Sequence, residues 1–312
     1  MTRVAAFDCG TNSLRLLVAD LDPETGAEHE VLREMRIVRL GEGVDRSGRI
    51  SDAAMARVLG AVDEFAALAR DAGAGAVRFC ATSAARDAAN AGDFVAGVRQ
   101  RVGVQPEVLD GLEEARASYA GATRSLPAEG SAAPRLVVDI GGGSTELVLG
   151  DGHGRVLAEQ SLDIGSVRLT ERHLHDDPPT PAQVEALVAD VDEALGGCRV
   201  PLADARTLVG VAGTVTTVAA GVLGLAEYDR DAIHHAALRA DDVVATGRAL
   251  VGMSVSARRE LGYMHPGRAD VIGAGALILE RVLRRTATDT LLVSEHDILD
   301  GIAWSLVTDR QP

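Results

Sequence analysis

At 312 residues the chain has room for two domains; its 46% hydrophobic content excludes bulk disorder, and 3% aromatic content predicts an aliphatic, alanine-rich core. A net charge of −15 excludes a nucleic-acid-coating surface, although a local arginine cluster can still hold a polyanion. The sequence contains no lysine, which excludes a lysine-dependent phosphate loop.

Residues 4–20 (VAAFDCGTNSLRLLVAD) lead an apolar run into Asp8, turn through Gly10, Thr11, Asn12 and Ser13, and leave in a second apolar run. That pattern predicts a hairpin of two largely buried strands. Residues 30–40 supply a third strand, followed by a glycine-punctuated loop. Ser51 and Asp52 begin a helix with Ala54, Val58, Ala61, Phe65 and Leu68 at helical spacing, ended near Gly73 and Gly75. Residues 77–81 form a strand, and Thr82 and Ser83 cap a helix over 84–90 that carries Arg86 one turn in. Arg86 has two readings, a phosphate contact assisted by the helix N-terminus or a surface ion pair. A further strand ends at Val108 and Leu109, Asp110 and Gly111 turn the chain, and Glu113 and Glu114 open a helix running toward Arg124. The helix dipole alone favours acids there, yet a carboxylate at a strand end also stands where it can accept a proton from an attacking water.

Residues 126–134 (LPAEGSAAP) are the candidate domain boundary. Residues 136–150 (LVVDIGGGSTELVLG) then repeat the opening pattern: an apolar run into Asp139, a turn through Gly141, Gly142, Gly143, Ser144 and Thr145, then Glu146 and a second apolar run. Aligned on Asp8 and Asp139, the two segments share Asp-x-Gly-x-x-Ser. Glycines let backbone N–H groups approach an anion, and Asp139 with Glu146 offers oxygen ligands to a divalent cation; a structural glycine hairpin is the plain alternative. Residues 159–163 read as a strand, and Gly165 and Ser166 lead into a helix holding Arg168. His173, His175, Asp176 and Asp177 read as an exposed helix end rather than a metal site. Pro181 starts a helix over 182–195. Residues 208–217 (LVGVAGTVTT) pass from strand through Gly210, Gly213 and Thr214 into a helix over 215–225, whose N-terminus suits a phosphate or simply packs closely. Residues 264–275 (MHPGRADVIGAG) join a turn to a helix carrying Arg268 and Asp270, residues 291–294 are the last strand, and 296–307 a closing helix. Cys9, Cys80 and Cys198 are few and widely spaced, which predicts reduced thiols, with Cys9 a small strand-end residue. No leader-like segment or membrane-length apolar run is present, so a cytoplasmic protein is expected.

Two meanders, each followed by alternating strands and helices, predict α/β architecture in two related domains with mixed sheets, each presenting a phosphate-binding turn to a shared cleft. The pairing of VAAFDCGTNSLRLLVAD with VVDIGGGSTELVLG, with CATSAARDAAN and LDGLEEAR between them, resembles the exopolyphosphatase/guanosine-pentaphosphate phosphatase family. The resemblance continues through GVAGTVTT, HPGRADVIGAG and SEHDILDGIA. It implies two duplicated actin-like, sugar-kinase-like (ribonuclease H-like) ATPase domains with an interdomain cleft: residues 1–126, completed by a helix over 299–312, and residues 127–298. This looks like the short two-domain, actinobacterial-type form of the family.

What the resemblance implies about function is hydrolysis of the terminal phosphoanhydride of inorganic polyphosphate, with Mg²⁺ or another divalent cation such as Mn²⁺. The second glutamate of the family's pair is catalytic, here Glu114. Its phosphate-binding positions fall on Asp8, Gly10, Thr11, Asn12 and Ser13 and on Gly141, Gly142, Gly143, Ser144 and Thr145. Arg86 matches the arginine that grips phosphate, Arg15 a weaker substrate contact, and Asp139 and Glu146 the metal-associated acids. Gly213, Thr214 and Arg268 are further candidates. Guanosine pentaphosphate, tied to the stringent response, remains the alternative substrate; a sugar or acetate kinase and a non-catalytic alarmone or polyphosphate sensor are rival readings. No nucleic-acid or membrane partner is expected, and a homodimer is compatible with the family.

Overall fold

The computed structural model describes residues 1–127 and 130–308. Residues 128–129 of the expected linker and 309–312 of the expected closing helix lie outside the described residues. The chain divides into two compact units, Met1–Gly121 together with the chain from Ile298 onward, and Ala122–Asp297.

In the first unit, β1 (Thr2–Cys9), β2 (Ser13–Leu21) and β3 (Glu28–Ile37) form an antiparallel meander, and β4 (Ala76–Ala81) and β5 (Glu107–Val108) continue the sheet in parallel beyond β1. The strand order is β3-β2-β1-β4-β5. Its helices are α1 (Val44–Ser47), α2 (Asp52–Asp71), α3 (Ser83–Asp87), α4 (Ala91–Val102) and α5 (Gly111–Arg124), the last of which runs on into the second unit. The C-terminal helix Ile298–Thr308 also packs here.

The two-residue period of a strand explains why β1 and β2 read as continuous apolar runs: both faces are covered. Ala5, Phe7 and Cys9 face a core shared with Val58, Phe65 and Phe94, whereas Val4 and Ala6 face Ile298, Leu299, Ile302, Trp304 and Val307. All four phenylalanines lie in the first of these cores, with Phe7 stacked on Phe79 at 5.4 Å and Phe79 tilted against Phe94 at 6.3 Å.

The expected helix over 84–90 is a shorter element. α3 ends at Asp87, Ala88 is extended, and α4 is a separate helix. Asn90 holds the break, exchanging hydrogen bonds of 2.9 and 3.0 Å with the backbone of Ile50. On α2 the buried stripe runs through Val62, Ala66 and Ala69, leaving Leu68 exposed, contrary to its expected place.

The second unit repeats the plan. β6 (Arg135–Ile140), β7 (Thr145–Gly150) and β8 (Val156–Leu162) form the meander; β9 (Thr207–Val211), β10 (Ala237–Arg239) and β11 (Thr290–Val293) complete the order β10-β11-β9-β6-β7-β8. Meander, then β9 and β11 parallel to β6, reproduces the first sheet, with β10 added as an antiparallel edge. The sheet order thus establishes a duplicated mixed α/β architecture. The helices are α6 (Ser166–His173), α7 (Pro181–Gly196), α8 (Ala212–Val222), α9 (Arg230–Ile233), α10 (Ala240–Gly252), α11 (Val255–Arg259) and α12 (Ile272–Leu283).

α7 starts on a Thr180–Gln183 capping box with Pro181 in its first turn, as the proline predicts. α12 is apolar and buried almost all round. Arg268 and Asp270, expected on that helix, sit in the turns ahead of it, and His296, expected to begin the closing helix, precedes it by two residues. Among the described residues no helix is long and apolar enough to cross a membrane.

Candidate active site

The repeated sequence motif becomes a repeated turn. Gly10 donates its N–H to Ser13 O at 2.9 Å, and Gly141 to Ser144 O at 3.0 Å. Across the ladder, Asp8 pairs with Arg15 and Asp139 with Glu146, seven residues on in each case. At that equivalent position the charge is reversed. Arg15 binds Asp8 Oδ2 through Nη2 at 2.7 Å and Nε at 3.0 Å, so the structure places this expected substrate contact as the ion-pair partner of Asp8.

In the second unit two carboxylates face each other in register, with Asp139 6% and Glu146 1% exposed. Directly opposed like charges destabilise a sheet unless they are neutralised. Ser161 Oγ, the residue opposite Glu146 on β8, donates to Glu146 Oε1 at 2.7 Å. Two buried carboxylates and a hydroxyl form an oxygen set of the kind a hard divalent cation takes.

The backbone of each turn is oriented by what its carbonyls bind. Gly141 O accepts from Ser166 N, Gly142 O from Val167 N and Arg168 N, and Gly143 O from Arg168 Nε, at 2.6–3.1 Å. A trans peptide puts N–H opposite C=O, so the N–H groups of Gly142, Gly143 and Ser144 turn away from α6 and form a run of donors. Gly165 makes this seating possible, since a Cβ there would lie 2.5 Å from Gly142 C and O. In the first unit Thr11 O accepts from Gly41 N, and Asn12 O from Val38 N and Arg39 N, each at 2.9 Å. The N–H groups of Asn12 and Ser13 are turned outward in the same way.

The Thr11 hydroxyl is buried and makes no hydrogen bond among the described residues. Such a group costs free energy unless a ligand or water completes it. Thr145, by contrast, donates its hydroxyl to Ile164 O at 2.6 Å. The expectation that Thr145 is a phosphate contact therefore finds that group already engaged in structure.

Arg86 and Glu114 come together in the first unit. Glu114, in the first turns of α5, is 8% exposed, and its Oε2 lies 3.1 Å from Arg86 Nη1. The same Nη1 donates to Leu109 O at 2.9 Å, while Nε and Nη2 make no hydrogen bond among the described residues. Arg86 is thus anchored through one nitrogen and presents a two-nitrogen edge, the geometry suited to a phosphate. Glu113 is engaged elsewhere, its Oε2 accepting the N–H of Asp110 at 2.8 Å.

Gly213 and Arg268 are also brought together, while Thr214 lies against Gly275 of α12. A Cβ on Gly213 would overlap the Arg268 guanidinium, and a Cβ on Gly275 would lie 2.5 Å from Thr214 Oγ1. Ala212, at φ 65°, holds the β9–α8 turn in the left-handed region that a non-glycine residue adopts at a cost.

The His173 stretch forms no metal cluster among the described residues: His173 Nε2 lies 2.9 Å from Asp190 Oδ2, and Asp177 Oδ1 accepts Val255 N at the start of α11. The buried Cys9 thiol is pushed well up, first by burial and then by Asp8, and Cys80 up to about 12, first by burial, so neither is a nucleophile near neutral pH. Ser161, Arg168, Gly165 and Gly41 escaped sequence reasoning; the one local hint was Gly165–Ser166 at a helix start.

The family model of the Ppx/GppA phosphatase family matches residues 18–309. The chain is 48% identical to Exopolyphosphatase 2 of Mycobacterium tuberculosis over 98% of this chain and 99% of that protein. The crystal structure of an exopolyphosphatase-like protein superposes with a TM-score of 0.93 at 43% identity, covering 97% of this chain and 98% of the other. The Ppx/GppA family member of Aquifex aeolicus gives 0.83 at 30% identity over 100% and 99%. With sheet order, repeated turns and family model in agreement along nearly its whole length, the chain belongs to the Ppx/GppA phosphatase family.

Proposed function

We propose that the protein is an exopolyphosphatase, hydrolysing the terminal phosphoanhydride of polyphosphate and releasing phosphate. The observation that carries this reading is the Arg86–Glu114 pair: a buried carboxylate and an anchored arginine with a free phosphate-sized edge, 3.1 Å apart. The near full-length identity to Exopolyphosphatase 2 supports it. Phosphoryl transfer asks mainly for positioning and charge neutralisation, which suits such a site.

In this reading Arg86 grips oxygens of the terminal phosphate through Nε and Nη2. The Asn12 and Ser13 N–H groups and the Thr11 hydroxyl are the phosphate donors of the first unit, and the Gly142, Gly143 and Ser144 N–H groups are those of the second, each taken by itself. Asp139 and Glu146 hold a divalent cation, Mg²⁺ or Mn²⁺, which when bound offsets the charge of the phosphates. Glu114 orients a water and accepts its proton as the water oxygen bonds to phosphorus and the anhydride P–O bond breaks, the electron pair leaving with the shortened chain.

Phosphate release is to be measured side by side on short and long polyphosphate, guanosine pentaphosphate and ATP, with Mg²⁺, Mn²⁺ or a chelator. Release from polyphosphate, lost with the chelator, is the expected result, and the pentaphosphate arm tests the alternative substrate. Glu114→Gln is expected to lower turnover by roughly two or more decades with folding intact. Near-normal turnover in that variant overturns the role of Glu114, and binding without release on every substrate makes the protein a sensor.

A further inference from the structure

We propose that Asp110 and Glu113 are positioning residues for Glu114, forming a reciprocal cap that fixes the first turn of α5 and thereby the direction in which the Glu114 carboxylate is presented. The proposal rests on the proton-accepting role given to Glu114 above.

Asp110 stands immediately before α5, and its Oδ1 accepts the N–H groups of Leu112 and Glu113, each at 2.8 Å. Glu113 returns the contact, its Oε2 accepting Asp110 N–H at 2.8 Å, while Glu114 N donates to Asp110 O at 3.0 Å. This is a capping box with aspartate as the cap. The N–H of Glu113 is the leading cause that holds the Asp110 carboxyl below the usual carboxylate range.

The preceding residue carries the frame into the sheet: Leu109 N donates to Ala81 O at 2.9 Å, and Leu109 O accepts Arg86 Nη1 at 2.9 Å. Sheet end, cap and the Arg86–Glu114 pair therefore form one continuous set of contacts. Apolar packing does not secure this turn, because Leu112 is 41% exposed and Glu113 is exposed as well. It begins with Gly111, the residue type with most backbone freedom. Glu114, the fourth residue of α5, lies within the turn that frays when its donors are unsatisfied. The two adjacent glutamates thus have different work, one holding the helix start and the other facing Arg86.

The test is steady-state phosphate release from polyphosphate by the full chain. Glu113→Ala is expected to lower kcat on the order of tenfold with KM little changed, since misplacing a positioned group by about 1 Å can cost about a hundredfold. Glu113→Gln, whose amide oxygen can accept the same N–H, is expected to restore most of the loss. In the Glu114→Gln background, Glu113→Ala is expected to add no further loss, because the residue it positions is gone. Wild-type kcat in Glu113→Ala overturns the proposal, as does an equal fall in Glu113→Gln, which would make the negative charge rather than the cap responsible. An additive loss in the double variant also overturns it. Near-normal turnover in Glu114→Gln alone instead overturns the parent reading, and the positioning role falls with it.

Discussion

Asp8 and Asp139 occupy equivalent corners of their hairpins, but one residue across the ladder gives them opposite surroundings. Arg15 neutralises Asp8 inside the first unit, whereas Glu146 adds a second negative charge beside Asp139. The same hydrogen-bonded turn thus sits in two different charge settings, one balanced and one doubly acidic. Arg15→Met leaves the Asp8 carboxylate buried beside an apolar chain. Removing one partner of a buried pair costs about 3–5 kcal/mol, and with the Arg15 side chain 18% exposed a loss of about 2–4 kcal/mol is expected. The check is a fall in the denaturant midpoint at unchanged slope; an unchanged midpoint would show that the pair contributes nothing. Asp8, Asp139 and their glycines were legible in sequence because the turn is a local motif that occurs twice. Ser161 was not, because it acts through a neighbour 15 residues away with no local pattern to announce it.

At the scale of elements, strands were easier to read than helices. Strands covered on both faces leave unbroken apolar runs between turn residues, as in β1, β2, β6 and β7. The break between α3 and α4 depends on Asn90 meeting Ile50, forty residues away, which no local propensity encodes. α10 gave no clear signal because Gly247 sits in its middle, and that glycine is there for packing: a Cβ would approach Ala276 of α12 to 3.3 Å.

The C-terminal helix covers one face of the first sheet. Besides its apolar face it brings Asp300, 1% exposed and ion-paired to Arg33, and Trp304, whose Nε1 donates to Glu28 at 2.8 Å. Ending the chain after Asp297 is expected to abolish cooperative unfolding of the first unit and to raise binding of a hydrophobic dye, as packing is lost from one face of its sheet. A truncated chain with native near-ultraviolet dichroism and an unshifted transition would show that this helix is dispensable.

For the molecule as a whole, acid should act in two stages. His265 titrates below its ordinary value through burial and then Arg268, and His235 through burial and then His296. Both are neutral in the fold at pH values where the unfolded chain binds a proton, so their contribution is present above an ordinary value of 6.5 and is lost as pH falls below it. Burial pushes Asp192 and Glu280 upward, but Arg281 and Arg285 outweigh it at the first, and Arg248 and Arg284 at the second, leaving both carboxyls below their ordinary range. Their stabilisation holds above that range and disappears at lower pH. Tm measured against pH should therefore decline gently from about 6.5 and steeply below about 4, with His265→Gln and His235→Gln flattening the first stage. A Tm that stays constant down to pH 5 would contradict this.

The return of residues 298–308 to the first sheet also bears on how the chain is made. On a ribosome the strands of that sheet emerge well before residues 298–308, so the face carrying Val4, Ala6 and Leu17 lacks most of its cover until that helix follows. At about 5–20 residues per second the interval is on the order of ten seconds or more. The second unit, all of whose residues precede Ile298, can meanwhile assemble. The half translated first is thus the half completed last, and during that wait its bare apolar face is where a nascent-chain chaperone would be expected to hold it.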